Sequence, residues 1–316
     1  MPKFSVIIPL YNKDAHIVDT IISVLNQSFT DFEIIVVNDG STDDSLLEVK
    51  KITDKRLTIY NRDNKGVSQT RNFAMQQAKG EYFSFLDADD IWKKNHLQNL
   101  NELITEFPNC GMYCTNYYFD YGCGYIINPK FPTLPKIDNW QGIVSDFFKA
   151  SMKYRIAWTS AVAIPSDSIK TVGFFNENIT LGAGEDTEYW TRLALKKPVA
   201  FSKLTTAIYK VDAINRISKI NPSKRKHMTF DNFLEEEKNN PSLKKFNDMY
   251  RVEYALRQKI FGNTSLFEFY KDGINYNSIT LKNRILLSLP QFALISLWHC
   301  KQLVKRLKRF CFIVFK

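Results

Sequence analysis

The feature that most constrains the fold is a regular alternation of short apolar runs and amphipathic stretches. The apolar runs, rich in Val, Ile, Phe and Tyr, predict buried parallel strands at residues 4–8, 33–38, 57–61 and 82–87. The stretches that follow have helical spacing and cover residues 15–27, 43–53, 67–79 and 94–107. Repeated strand–helix–strand units predict an α/β fold with a doubly wound, mostly parallel, Rossmann-like sheet.

The pattern becomes less regular beyond about residue 111. A helix is predicted at residues 142–152, strands at 161–164 and 206–211, and a further helix at 185–195. After residue 221 the chain turns polar and helical. We therefore expect an α/β domain at residues 1–220 and a helical C-terminal region at 221–316.

The formal net charge of +10 is concentrated near the C-terminal end. Residues 282–316 contain eight basic residues and no acidic ones, which leaves +2 for the first 281. A nucleic-acid-binding protein more often spreads basic charge over its fold, so no nucleic acid partner is expected. Apolar residues recur at helical spacing between the charges, at Leu303, Leu307, Phe310, Cys311 and Val314. This pattern predicts a helix on an anionic membrane surface, and packing on the domain or on a partner is the alternative.

Cysteine usage and the N-terminal segment indicate a cytoplasmic protein. The five cysteines are an odd set without CxxC spacing, which predicts reduced thiols. The first apolar run is short and broken by Pro9, so it predicts a strand rather than a signal peptide. The late apolar run at residues 285–298 is interrupted by Pro290 and is shorter than the roughly 20 residues that cross a bilayer.

Polar residues follow each of the four predicted strands, at 11–12, 39–41, 61–65 and 87–90. In open α/β sheets, ligands bind beyond the carboxyl ends of the strands. We therefore expect these four clusters to converge on one edge of the sheet.

The most specific cluster is Asp87-Ala88-Asp89-Asp90, directly after an apolar strand. Carboxylates at a strand end can hold Mg²⁺ or Mn²⁺ against the phosphate oxygens of a nucleotide, because these cations prefer hard oxygen ligands. Three acids placed together also repel one another unless a cation lies between them. The alternative is a solvated turn with an aspartate helix cap.

Two glycine turns precede this cluster. After the second strand, Asp39 can accept a hydrogen bond from a nucleotide base, although a well-made strand-to-helix turn would have the same sequence. After the third strand, Gly66 permits close backbone approach, and the cations Lys65 and Arg71 can reach a diphosphate. An ordinary exposed helix start is the alternative there.

In this order, the segments SVIIPLYN, NDGSTD, NKG followed by RN, and DADD resemble the bacterial family 2 glycosyltransferases, which have a GT-A fold. The resemblance is dense over the first 110 residues and thinner to about residue 211. It implies a nucleotide-sugar donor, with UDP expected, and a Mn²⁺ or Mg²⁺ cofactor. The residues implied to bind the donor or its metal are Pro9, Tyr11, Asn12, Asp39, Lys65, Arg71, Asp87, Ala88 and Asp89.

The family also carries an acidic pair before a helix, and the segment GEDTEYW at residues 184–190 is similar to it. By that match Asp186 is the expected catalytic base, Glu185 shares the acceptor hydroxyl, and Trp190 offers an apolar face to the acceptor sugar. An acid-rich helix N-terminus stabilised by the helix dipole is the alternative explanation of the same residues.

One position departs from the family pattern. Many relatives have a histidine after the late strand that helps to hold the metal, and this chain has Asp212 there. Asp212 can ligate the metal through oxygen, or the site lacks that ligand. The four histidines of the chain, at 16, 96, 227 and 299, offer no obvious replacement.

The resemblance implies an inverting glycosyltransferase. A non-processive one is expected, since the QxxRW motif of processive synthases is missing from the sequence. The resemblance and the basic tail together imply a glycan acceptor, expected to be a lipid-linked oligosaccharide of a bacterial surface polysaccharide or lipopolysaccharide, at the inner face of the cell membrane. Without GxGxxG or a P-loop motif, dehydrogenase and P-loop functions are excluded. A nucleotidyltransferase of related fold and a non-catalytic nucleotide-sugar or membrane-binding module remain as alternatives.

Overall fold

A computed structural model describes residues 1–215 and 225–314, with side chains described as far as residue 304. The chain forms two compact units, Met1–Lys219 and Ile220–Lys316. The boundary predicted at residue 220 falls within residues 216–224, which lie outside the described ranges.

The first unit is built on one mixed sheet. Its strands are β1 (Phe4–Leu10), β2 (Phe32–Asp39), β3 (Leu57–Arg62), β4 (Tyr82–Phe85), β5 (Ile91–Trp92), β6 (Met112–Asp120), β7 (Ile126–Ile127), β8 (Gln141–Ile143), β9 (Val162–Pro165) and β10 (Val199–Lys210). Their order is β3-β2-β1-β4-β9-β6-β10-β5, with β7 on β6 and β8 on β10. The first four strands pair in parallel, as do β6 and β10, whereas β9 is antiparallel to both of its neighbours.

Helices cover this sheet. They are α1 (Ile17–Leu25), α2 (Ser45–Lys50), α3 (Val67–Gln77), α4 (His96–Glu106), α5 (Phe147–Ala150), α6 (Ser168–Val172) and α7 (Glu185–Lys196). Helix α3 packs on β1 and β2, and α4 packs on β6 and β10. The core includes Val6, Ile8, Ile34 and Val36, all with no exposed surface, because a parallel strand between two layers is buried on both faces. The predicted α/β class with a mostly parallel sheet is confirmed.

The four strands and four helices predicted in the first 107 residues are all present, with ends that differ by a few residues. The helix predicted at residues 142–152 is wrong over most of its length. Residues 141–143 form β8, which pairs with β10, and only Phe147–Ala150 is helical, capped by the Asp146 carboxylate. The pairing of β8 with a strand more than fifty residues later overrides the local helical pattern.

The second unit is helical, as predicted. It contains α8 (Leu234–Asn239), α9 (Pro241–Ile260), α10 (Thr264–Asp272), α11 (Leu281–Ser288) and α12 (Gln291–Val314). On α9, Arg251 is buried and its guanidinium binds Glu237 at 2.8 Å and Asp248 at 3.0 Å. Pro290 lies between α11 and α12. In the part of the chain that the structure describes, every helix is too short or too polar to span a membrane.

Candidate active site

The loop after β1 is fastened to the loop after β2. The Asn12 backbone N–H donates to Ser41 Oγ at 3.0 Å, and the Thr42 N–H donates to Asn12 Oδ1 at 2.8 Å. Asn12 has a positive φ of 50°, a conformation that asparagine tolerates better than most residues. Beside it, the Tyr11 ring is 39% exposed at the carboxyl edge of the sheet. Asn12 therefore shapes the edge, while Tyr11 keeps a face available to a ligand.

Asp39 holds the loop after β3. Its two carboxylate oxygens accept from the backbone N–H groups of Lys65 at 2.8 Å and Gly66 at 3.0 Å. Gly40, at φ +69°, allows this approach, because a Cβ there would lie 2.7 Å from the Asn64 nitrogen. The Lys65 side chain is exposed. Clusters from β1, β2 and β3 thus meet at one edge, which confirms the predicted convergence for these strands.

Arg71 joins this edge to α7. Its Nη2 lies 2.8 Å from Asp87 Oδ1, and its Nη1 lies 3.2 Å from Glu185 Oε1. The side chain is 4% exposed, so it bridges two carboxylates instead of facing solvent. Arg71 Nε and Glu185 Oε2 have no hydrogen-bond partner among the described residues. The predicted diphosphate contact of Arg71 remains a prediction.

The acidic pair forms the first turn of α7, where the helix dipole favours negative charge. Burial, together with the charge of Asp186, raises the pKa of Glu185 despite Arg71 nearby. Burial also disfavours the charged form of Asp186, but Arg155, Arg71 and the hydrogen bonds of Thr187 outweigh it and lower its pKa. Two adjacent carboxyls with pKa values pushed apart suit different roles, the ionised one being the better base at neutral pH.

Two further side chains hold the Asp186 carboxylate. Arg155 Nη1 donates to Asp186 Oδ2 at 3.0 Å, and Thr159 Oγ1 donates to the same oxygen at 3.3 Å. Both come from the irregular segment before β9, whose sequence shows no pattern that singles them out. They orient the carboxylate and favour its ionised form.

Buried hydrogen bonds hold the DADD loop, residues 87–90, in place. Ala88 is 3% exposed, and its carbonyl accepts from Thr20 Oγ1 at 3.1 Å. Asp90 is fully buried and accepts from Ser160 Oγ and from the Lys210 backbone N–H. Asp90 therefore fixes the loop, and the two other aspartates remain as the candidate ligands.

Asp87 and Asp89 each already face a cationic side chain. Asp89 Oδ2 lies 2.8 Å from the Nζ of Lys13, and both groups are nearly buried. Among the described residues, contacts engage one oxygen of each carboxylate, Oδ1 of Asp87 and Oδ2 of Asp89. The remaining oxygens are hard donors of the kind that Mn²⁺ and Mg²⁺ use, so the pair fits a divalent cation that also binds phosphate.

The predicted third metal ligand does not join this pair. Asp212 is exposed in the turn after β10. In the described part of the chain, no three His, Cys, Asp or Glu side chains lie together as a metal site, so the trio with Asp212 is not formed. Instead, the turn is tied down by Lys13, whose Nζ donates to the carbonyls of Ile214 and Asn215, and by His16, which accepts from the Ile214 N–H.

Trp190 lies on the inner side of α7. Its side chain is in the core, 2% exposed, with Phe85, Phe175 and Tyr189 rings 5.4–5.7 Å away. A buried ring cannot stack on a sugar, so its predicted role as the acceptor platform is corrected. The helical period places it one turn from the acidic pair, and only the packing of α7 shows that it points inward.

Sequence reasoning also missed Lys13 and Arg155. Lys13 comes from the loop after β1, where the local sequence predicts an exposed lysine side chain. Its side chain is buried because it lies under the turn after β10 and against Asp89. Long-range contacts of this kind leave no local signal in the sequence.

Comparison with known proteins shows which family the chain resembles. A family model described as glycosyl transferase family 2 matches residues 5–163. An "Uncharacterized glycosyltransferase" of Rickettsia felis is 31% identical over 202 residues, 62% of this chain and 31% of the relative. The chain thus spans about a third of the length of the Rickettsia felis relative that it matches.

Two other similar proteins carry more specific names. The "UDP-Glc:alpha-D-GlcNAc-diphosphoundecaprenol beta-1,3-glucosyltransferase WfaP" of Escherichia coli is 32% identical over 175 residues, 55% of this chain and 65% of the relative. The crystal structure of S. aureus TarS 1-349 in complex with UDP-GlcNAc superposes with a TM-score of 0.58 at 20% identity. That match covers 87% of this chain and 93% of the TarS chain, and it shows a shared fold.

Proposed function

The chain belongs to glycosyl transferase family 2, and from this premise we propose that it moves a sugar from a nucleotide donor, UDP-linked, to a hydroxyl of a glycan acceptor with inversion. The observation that carries the proposal is the contact of Arg71 with both Asp87 and Glu185. It joins the strand end that would hold the donor phosphates to the acidic pair that would activate the acceptor. A non-catalytic module that only binds a nucleotide sugar would not require a link between these two groups of residues.

Asp186 is the base of the proposed reaction. In a single displacement the acceptor hydroxyl attacks the anomeric carbon, the bond to the nucleoside diphosphate breaks, and the hydroxyl proton passes to the base. The lowered pKa of Asp186 keeps it ionised, and Arg155 and Thr159 fix its orientation. Glu185, with its raised pKa, is suited to hydrogen-bond the acceptor rather than to accept its proton.

The donor would lie on the edge formed by the loops after β1, β2 and β3. The exposed ring of Tyr11, two residues after Pro9, offers a stacking face for the base. Asp39 keeps acceptor capacity beyond its two backbone partners, which a base N–H can use. Lys65 is an exposed cation at the same edge and suits the diphosphate. The printed names of WfaP and the TarS complex, which contain UDP sugars, support uridine as the base.

Asp87 and Asp89 are the residues that would hold a divalent cation. When bound, such a cation supplies positive charge to the departing diphosphate. Lys13 already neutralises the charge of Asp89. When a cation binds, the Lys13 ammonium group must therefore share the Asp89 carboxylate with it or move away. Arg71 keeps Asp87 in place from the opposite side.

A lipid-linked glycan acceptor and a peripheral membrane location complete the proposal. The name of WfaP contains a diphosphoundecaprenol acceptor, and residues 282–316 of this chain carry only basic charge. On α11 and α12, Leu281, Phe292 and Leu303 are 58–73% exposed. Apolar side chains among basic ones suit the headgroup region of an anionic inner leaflet. The side chains beyond residue 304 lie outside the described range.

The test is release of nucleotide from a panel of donors. UDP-glucose, UDP-galactose, their N-acetyl forms and GDP-mannose are incubated with Mn²⁺, Mg²⁺ or EDTA, and free nucleotide is measured. We expect release from a UDP donor, reduced about a hundredfold or more in Asp186→Asn and lost in Asp89→Ala. Asp272→Asn, an exposed aspartate on α10, is the matched control. A wild type that binds a donor without releasing nucleotide would favour the non-catalytic module.

A further inference from the structure

Four aromatic side chains, Phe119, Tyr154, Trp158 and Tyr209, form a cluster at the ends of β6 and β10 and in the segment before β9. The Trp158 ring lies 4.5 Å from Tyr209 and 5.8 Å from Phe119, both edge to face. Phe119 in turn lies 5.5 Å from Tyr209 and 6.2 Å from Tyr154. These distances between ring centroids describe one continuous aromatic group, called the aromatic cluster below.

The cluster reaches the surface, although aromatic groups of this size are normally sealed in the core. All four rings are partly exposed, whereas Tyr117 beneath them is 1% exposed and stacks on Trp158 at 5.0 Å. Tyr117 therefore connects the cluster to the core and gives it a rigid base.

Trp158 also carries a polar group without a partner. Its indole Nε1 is buried and has no hydrogen-bond acceptor within the described residues. Buried donors are nearly always paired in folded proteins, so an unpaired one marks a position where a ligand or a water oxygen is expected.

The cluster is physically joined to the proposed base. Arg155 places its guanidinium carbon 5.9 Å from the centre of the Trp158 ring, and its Nη1 binds Asp186 Oδ2 at 3.0 Å. Thr159, the residue after Trp158, donates to the same oxygen. A molecule resting on the cluster is therefore beside the carboxylate that would take its proton.

We propose that the aromatic cluster, centred on Trp158, is the platform for the sugar ring of the acceptor. This inference rests on the proposed function and adds the acceptor subsite to it. A pyranose has apolar C–H faces and a rim of hydroxyls, so it needs aromatic surface together with a few hydrogen-bonding groups. The cluster supplies the aromatic surface, the Trp158 N–H supplies a donor, and Arg155 adds a cation at the rim.

This position replaces the one predicted from sequence. Trp190 is on the same helix as the acidic pair but faces the core, whereas Trp158 contacts Arg155 and precedes Thr159, and both of these residues bind Asp186. The platform and the base thus come from different parts of the chain.

The test separates acceptor binding from donor chemistry. Saturation-transfer NMR with UDP present would measure binding of methyl glycosides of glucose, galactose, N-acetylglucosamine and N-acetylgalactosamine. The same samples are assayed for release of UDP from the donor without an acceptor. The variants are Trp158→Leu and Trp158→Phe, and Phe269→Leu is the control, because Phe269 is a 47% exposed aromatic residue on α10.

We expect at least one glycoside to bind wild type and Phe269→Leu equally, and to bind Trp158→Leu about fivefold or more weakly. Trp158→Phe, which keeps a ring but loses the N–H, should fall between them. UDP binding should be unchanged in all variants, which also shows that they are folded.

Two results would overturn the inference: undiminished glycoside binding by Trp158→Leu, or binding of none of the glycosides by wild type. Failure of wild type to hydrolyse any donor would instead count against the proposed function. The two conclusions can therefore fail separately.

Discussion

Arg71 and Glu185 are 114 residues apart in the chain, yet the guanidinium Nη1 lies 3.2 Å from the carboxylate Oε1. Nη2 of the same guanidinium donates to Asp87 Oδ1 at 2.8 Å. One arginine on α3 thus sets the separation between the end of β4 and the start of α7. In the proposed reaction this is the separation between the donor phosphates and the base.

Arg71→Met should destabilise the protein by about 3–5 kcal/mol, because it leaves two carboxylates without their buried partner. Nucleotide release should fall in parallel, since Asp87 and the acidic pair lose their common support. Urea unfolding gives the first quantity. Arg257→Met is the control, as its ion pair with Glu253 is 40–45% exposed and worth about 1 kcal/mol or less. Equal unfolding free energies for the two variants would contradict the bridging role.

Arg155→Met should move the acid limb of the kcat/KM profile to higher pH. Asp186 acts as a base when ionised, and Arg155 helps to hold its pKa below the usual value. A carboxylate with a lowered pKa stays ionised down to a lower pH. Removing Arg155 should therefore raise the pH at which activity is lost. The measurement is the pH dependence of transfer, with Arg257→Met as the control. If the acid limb of the profile lies near neutral pH and does not shift in Arg155→Met, Glu185, whose pKa is raised, would be indicated as the base.

Gly40→Ala should weaken UDP binding by about tenfold, equivalent to about 1.4 kcal/mol. A Cβ at this position would lie 2.7 Å from the Asn64 nitrogen and push the loop after β3 away from Asp39. Gly173→Ala is a close control, because Gly173 also has a positive φ, +74°, but apart from its chain neighbours no described residue has an atom within 4 Å of its would-be Cβ. Both variants place an alanine at a positive φ, so both carry the same kind of backbone strain. The difference between their UDP affinities, measured by calorimetric titration, therefore reports the steric effect at position 40. Equal affinities would rule out the loop displacement.

Lys13→Met should lower the free energy of unfolding by about 3–5 kcal/mol, since Asp89 is left buried without its cation. Mn²⁺ should then raise the melting temperature of this variant more than that of wild type, because the cation no longer shares Asp89 with an ammonium group. Lys3→Met, which breaks a surface pair with Glu81, serves as the comparison. An identical Mn²⁺ response in wild type and Lys13→Met would argue that Asp89 is not a metal ligand.

Phe292→Ser should reduce sedimentation with vesicles that contain phosphatidylglycerol. Phe292 is 73% exposed at the start of α12, in a region with only basic charge. Binding of the wild type should also weaken as salt rises, because screening acts on the attraction to anionic lipid. Leu47→Ser, a 58% exposed position on α2, is the control. Wild type that stays in the supernatant, or binds neutral and anionic vesicles alike, would remove the membrane proposal.

Much of the candidate site follows from local pattern. Each motif residue after a strand is placed at the sheet edge by the strand itself, so Tyr11, Asp39 and Asp87 were predictable positions. The acidic pair at the start of α7 was predictable only from its resemblance to the family motif. Their partners were not, because Lys13 and Arg155 come from loops whose paths depend on contacts with distant strands.

The α/β class, the order of strands and helices in the first 107 residues, and the family resemblance could all be predicted from the amino-acid sequence alone. These depend on apolar periodicity and on short motifs, which are properties of neighbouring residues. Which face each element buries depends instead on how the elements pack together. Tertiary packing turned Trp190 into the core, formed no three-residue metal site with Asp212 among the described residues, and placed Trp158 against Arg155, which binds Asp186. Burial and approach are set by the packing of segments far apart in the chain, and no local pattern contains that information.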